Sequence, residues 1–208
     1  MKLKINKSLL SFYAVWVALG VAFVFAIFRA DWLIAFVALS TFILTVVPYV
    51  LRNKYRFYVP LEFTAAIAVF IYAAIFLGEA QNFYEKFWWW DSMLHMGSAI
   101  GFGLIGIIIL LLLYKGDKVK AHPRILSLFA FFFAIALGAL WEMFEFIMDQ
   151  LFGFHMQKNG LHDTMWDLIV GAIGAGISSI SGYLYITKGS KRLLNKFIHE
   201  WVTKKHSK

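Results

Sequence analysis

The sequence predicts an all-α polytopic membrane protein with six transmembrane helices and both termini in the cytoplasm. Three observations carry that expectation. The chain of 208 residues is 61% hydrophobic and 15% charged, with a mean hydropathy of +0.71, far more apolar than a soluble domain. Its apolar residues fall into runs of roughly twenty, the length of a bilayer-crossing helix. Its basic residues collect in every second connection, the asymmetry that orients membrane helices.

The elements follow in order. Lys2, Lys4 and Lys7 precede an apolar run over residues 9–28. That run is longer than a signal-peptide core and ends in no small-x-small cleavage site, so it is kept as the first span. Arg29, Ala30 and Asp31 make a tight turn, and residues 32–49 form the second span. Arg52, Lys54 and Arg56 make a basic loop between Pro48 and Pro60. The third span covers residues 61–77. A polar and aromatic connection follows, whose Trp88, Trp89 and Trp90 suit a membrane interface. Residues 92–114, 125–150 and 164–186 are the fourth, fifth and sixth spans. The six spans make one domain, residues 1–187. Residues 188–208 are a basic tail with Leu193, Leu194, Phe197, Ile198 and Trp201 at helical spacing, an amphipathic helix for an anionic lipid surface or for packing on the loops.

Seventeen of the 20 Lys and Arg residues fall on the side of the termini; Arg29, Lys86 and Lys158 fall on the other. The expected location is therefore the plasma (inner) membrane, with multiple passes and both termini inside. The net charge of +8 is thereby an orientation signal and does not indicate nucleic-acid binding. The chain has no cysteine, which excludes disulfides, thiolate metal sites and cysteine nucleophiles.

Nine of the 12 acids lie in the opposite half. Glu142, Glu145 and Asp149 share one face of the fifth helix at i, i+3 and i+7. Asp91 opens the fourth helix with His95 one turn deeper; Asp163 opens the sixth with Asp167 one turn deeper. At ~1.5 Å per residue, His95, Glu145 and Asp167 all lie roughly 6 Å below the ends of their helices, with Glu142 beneath them. Asp91, Asp149 and Asp163 make an outer ring. Asp91-Ser92-Met93-Leu94-His95 also matches Asp163-Thr164-Met165-Trp166-Asp167, a weak internal repeat. Gly97, Gly101, Gly103 and Gly106 stripe the fourth helix and Gly171, Gly174 and Gly176 the sixth, as helices in close contact require.

Blander roles stand beside these. Asp91 and Asp163 suit helix N-caps; Asp149 suits a solvated loop; a lone His95 suits a polar contact between helices. His155 and His162 suit solvent contact, although His162 adjoins Asp163. Glu142, Glu145 and Asp167 are harder to dismiss, because no Lys or Arg lies at their depth. Such carboxylates must be protonated, hydrated or bound to a cation.

One imidazole with several carboxylates is an oxygen-rich donor set for a divalent ion such as Mg, Mn, Fe or Zn. The expected metal set is Asp91, His95, Glu142, Glu145, Asp149, Asp163 and Asp167, with Glu142 and Glu145 as candidate catalytic carboxylates. The expected partners are the lipid bilayer and a lipid or cell-envelope precursor hydrolysed at the outer leaflet. A proton-linked or cation transporter is the first alternative; a non-catalytic envelope-stress or partner-binding protein is the second. No nucleotide or phosphate fingerprint occurs.

At these residues the chain resembles the YjdF-like family of small bacterial inner-membrane proteins, a family of unknown function. The resemblance rests on Asp91-x-x-x-His95-x-Gly97, on Trp141-Glu142-x-x-Glu145-x-x-x-Asp149, and on Asp163-Thr164-x-x-Asp167 with Gly174-Ala175. More distantly it is similar to the VanZ-like membrane proteins, where a His near one helix start is followed by a Glu in the next helix and then an Asp, an Asn and a Gly segment. Gly171 stands in place of that Asn, so no polar role carries over. The VanZ-like resemblance implies cell-envelope or glycopeptide-resistance biology.

Overall fold

The computed structural model describes residues 7–54, 61–115, 121–153, 155–158 and 160–188. Regular structure among the described residues is helical throughout. In chain order it comprises α1 (Lys7–Phe28), α2 (Trp32–Lys54), α3 (Leu61–Ile71), a π-helical continuation of α3 (Tyr72–Ala80), α4 (Phe83–Lys86), α5 (Trp90–Lys115), α6 (Pro123–Phe152) and α7 (Leu161–Lys188). The expected amphipathic tail lies outside the described residues.

Among the described residues, four stretches are long and apolar enough to cross a membrane: Glu62–Ala80, Trp90–Leu111, Pro123–Phe152 and Leu161–Lys188. The apolar segments of α1 and α2, Phe12–Phe28 and Ile34–Val47, are shorter. The third span runs on to Ala80, beyond the expected end near residue 77, because the helix widens into π-helical turns instead of stopping at Gly78.

The chain divides into two compact units at Trp90 and Asp91. In the first, α1 and α2 share a core of Val15, Leu19 and Ala38 with Phe76. Trp16 Nε1 donates to Thr45 Oγ1 at 3.2 Å and adds a polar rung between these two helices. Asp31 starts α2 by accepting from Ile34 N at 3.2 Å, an N-cap made possible by the left-handed Ala30 at φ 53°. The tryptophan run is divided: Trp88 and Trp89 are exposed, while Trp90 is buried with its ring edge-on to Phe83, centroids 4.9 Å apart.

In the second unit, α5 and α7 run parallel and α6 antiparallel to both. An apolar core of Leu104, Ile107, Leu110, Leu111, Leu126 and Ala130 fills one end. Ser179 Oγ donates to Ser127 O at 2.6 Å across α7 and α6 in that half. Close approach of α5 and α7 depends on particular glycines. A Cβ at Gly174 would stand 2.5 Å from the Met96 carbonyl oxygen, and one at Gly103 would run into Ser178. A Cβ at Gly97, Gly101, Gly171 or Gly176 would meet no atom within 4 Å. Only part of each expected glycine stripe therefore serves packing.

The ends of these helices also differ from expectation. α6 opens at Pro123, with His122 Nδ1 accepting from Arg124 N at 3.3 Å. It closes at Gly153, whose φ of 68° is the left-handed conformation of a helix C-terminus. α5 begins at Trp90 and α7 at Leu161. Asp91 and Asp163 thus lie inside the first turns and are not the residues that cap them.

Candidate metal centre

His95 is central among the acids. It projects from the first turns of α5, with Asp91 four residues before it on the same face. Asp91 Oδ1 lies 3.5 Å from His95 Nε2, and Asp167 Oδ2 of α7 lies 4.0 Å from the same nitrogen. On the other side of the ring, Glu142 Oε1 of α6 lies 3.5 Å from Nδ1. Two sets of ligand atoms lie within 4.8 Å of one another: Asp91, His95 and Asp167, and His95, Glu142 and Glu145.

The three helices bring these groups together because each chain direction places its acids at the same end of the unit. The apolar core at the other end and the close α5–α7 packing at Gly174 and Gly103 then force the polar side chains inward. Glu142 and Asp167 are only 5% and 4% exposed. Neither carboxylate oxygen of Glu142 forms a hydrogen bond of good geometry among the described residues; His95 Nδ1, at 3.5 Å, and Thr164 are its polar neighbours. Glu145 differs: its Oε1 accepts from Trp141 Nε1 at 2.8 Å.

A cavity of about 20 Å³ adjoins the cluster, lined by His95, Ser98, Phe102, Glu142, Asp167 and Gly171 among others. That volume accommodates one water or one small ion. Ser98 was not anticipated. Its Oγ donates to the His95 carbonyl at 2.9 Å, which spends its proton on the helix and leaves lone pairs for the cavity. Its place one turn below His95 was the available signal.

Asp149 and Asp163 are employed elsewhere. Asp149 Oδ1 accepts from Met156 N at 2.8 Å and its Oδ2 from Gln157 N at 2.9 Å, so the carboxylate holds the α6–α7 loop. Asp163 Oδ2 accepts from Lys158 N at 3.1 Å in that loop. Gln157 Nε2 donates to Thr164 Oγ1 at 2.6 Å and reaches the Glu142 carbonyl at 3.5 Å, bridging α6 and α7 just above the cluster. No sequence signal pointed to Gln157, because its role depends on the loop's path. His155 and His162 are exposed and belong to neither set of close ligand atoms.

Asp149→Ala removes two charge-assisted bonds to backbone amides. It is expected to cost about 2 kcal/mol or more of stability. Thermal unfolding in detergent checks this; a variant as stable as the parent would show that the Asp149 carboxylate does not hold the loop.

A family model described as "Predicted membrane protein (DUF2238)" matches residues 10–188, which fits the YjdF-like resemblance. An "Uncharacterized protein" of Thermotoga maritima is 33% identical over 107 residues, 51% of this chain and 53% of its own. A tetrahydromethanopterin S-methyltransferase component of Methanocaldococcus jannaschii is 30% identical over 76 residues, 36% of this chain and 25% of its own. The matches thus span about half and a quarter of those relatives. No solved structure matches. None of these matches bears on the VanZ-like resemblance.

Proposed function

This chain belongs to the DUF2238 family of predicted membrane proteins, and from that premise we propose that it holds a divalent metal ion between α5, α6 and α7. The observation that carries this is Glu142. A buried carboxylate with both oxygens unpartnered is costly unless a cation or proton meets it, and Glu142 lines a cavity of ion size beside His95.

The spacing supports the same conclusion. Two ligand atoms about 2.1 Å from one ion at the tetrahedral angle stand about 3.4 Å apart. The two 3.5 Å separations at His95 match that value and exceed the ~2.7–3.2 Å of a direct N–H···O bond. Asp167, at 4.0 Å, stays inside the roughly 4.2 Å limit for two such ligands on opposite sides of an ion. A donor set of imidazole and carboxylates suits Zn, Mn or Fe and disfavours Cu(I).

The Lys and Arg asymmetry supports six crossings with both termini on the cytoplasmic side of the inner membrane. The cluster then sits in the outer half of the bilayer. Under a hydrolytic role on an outer-leaflet lipid or cell-envelope precursor, the bound ion supplies Lewis acidity. Glu142 and Glu145 are the carboxylates on α6 that would hold the ion or accept a proton from water, Glu145 through the oxygen that does not accept from Trp141. A cation pathway through the unit is disfavoured, because its other end is an apolar core that includes Leu104, Ile107 and Ala130.

Elemental mass spectrometry of the detergent-purified protein tests the proposal. Stoichiometric metal in the parent, lost in His95→Ala while the variant elutes as a folded species, is expected. A parent that carries none after gentle purification and a divalent-ion soak would remove the metal function.

A further inference from the structure

We propose that His95 serves two mutually exclusive cation positions, one at Nε2 with Asp91 and Asp167 and one at Nδ1 with Glu142 and Glu145. This rests on the metal-binding function proposed above and goes beyond it in stating how many ions are held and where. Asp91 and Asp167 lie at Nε2 of the ring and Glu142 lies at Nδ1; Asp91 with Asp167, and Glu142 with Glu145, each form a set of close ligand atoms with His95.

Imidazole chemistry makes the positions exclusive. A neutral ring has one lone pair and one N–H, so only one nitrogen coordinates while the other donates. Histidine ligands generally direct that second N–H to a carboxylate, which orients the ring and raises its basicity. At His95 each side is built for either duty. With an ion at Nδ1, Asp91 would accept from Nε2–H, and with an ion at Nε2, Glu142 would accept from Nδ1–H, each 3.5 Å separation closing to hydrogen-bond length. Holding two ions at once would require the ring to lose its last proton as well.

The two positions are not alike. Each has one deeply buried carboxylate on the cavity, Glu142 and Asp167 at 5% and 4% exposed, but only at Glu142 do both oxygens lack a hydrogen bond. The Nε2 side includes Asp91, in the first turn of α5 and half-buried, nearer the end of the helix. Asp91 and Asp167 with Nε2 would hold an ion at one position, and Glu142 and Glu145 with Nδ1 would hold it at the other, the nitrogen not in use keeping the ring proton. The site is thus a two-position receptor for a single small divalent cation.

The test is the stoichiometry of Zn²⁺ and Mn²⁺ bound to the full-length protein in detergent, by titration calorimetry and by elemental analysis after gel filtration. The parent is expected to hold one equivalent. Asp91→Asn/Asp167→Asn and Glu142→Gln/Glu145→Gln should each still hold one, with affinity weakened about 10- to 100-fold, and His95→Ala none. Two equivalents in the parent would overturn the exclusive arrangement. So would complete loss in one folded double variant beside full retention in the other, which would leave a single position. If a double variant aggregates, Asp167→Asn and Glu142→Gln replace it with the same expected outcomes. A parent that binds no metal would instead remove the metal-binding function itself.

Discussion

Gly174→Ala is expected to destabilise the protein by about 3 kcal/mol and to abolish metal binding, although it adds one methyl group. The new Cβ would stand 2.5 Å from the Met96 carbonyl oxygen and 3.2 Å from the Met96 carbonyl carbon and Ala99 Cβ. These are mostly backbone atoms, so no side-chain rotation relieves the contact. Relief requires α7 to move off α5, and overpacking of that kind costs about 1–3 kcal/mol or more. Asp167 lies two turns away on the same helix and would move from His95 with it. Gly176→Ala is the control: its Cβ meets nothing within 4 Å, and the helix should gain about 0.5–1 kcal/mol from the better former. Unfolding in detergent, followed by tryptophan fluorescence, compares the two. Equal stability of Gly174→Ala and the parent would show that α5 and α7 do not pack as closely as described.

Glu142→Met is expected to have opposite effects on stability and on binding. In chelator, the variant should be more stable than the parent by about 1–3 kcal/mol, because a buried carboxylate with no partner is replaced by an apolar chain of similar length. In the parent, metal at one hundred times its dissociation constant should add about 2.7 kcal/mol. That increment should be much reduced in the variant, which has lost a ligand at one position and the orienting acceptor for the other. A site kept at the expense of stability is the pattern of function over packing. If Glu142→Met is less stable than the metal-free parent, the carboxylate is holding the helices together, and the structural role of the acids would gain the ground that the metal loses.

Much of the acid cluster is legible in the amino-acid order alone. Helix direction and rise place His95, Glu145 and Asp167 at one depth, since each depends only on spacing within its own helix. Spacing does not reveal which way a loop returns. Asp149 belongs to the same face as Glu145, yet the chain turns at Gly153 and presents the amides of Met156 and Gln157 to it. Likewise Asp91 and Asp163 precede Ser and Thr in a cap-like pattern, but the helices begin at Trp90 and Leu161.

Glycine stripes show the same division. Their positions mark where helices are permitted to approach; contact with Met96 and Ser178 selects Gly174 and Gly103 from the rest. The sequence by itself determined the helical class, the apolar stretches long enough to cross a membrane, and the end of the unit at which histidine and acids collect, because these follow from local periodicity and from the cost of charge in lipid. The tertiary structure alone decided that neither oxygen of Glu142 takes a hydrogen bond of good geometry, that Glu145 is engaged by Trp141, and that Asp91 and Glu142 address opposite nitrogens of His95. Those features depend on how three helices rotate about their axes to bury their apolar faces, and no spacing within a single helix encodes that rotation.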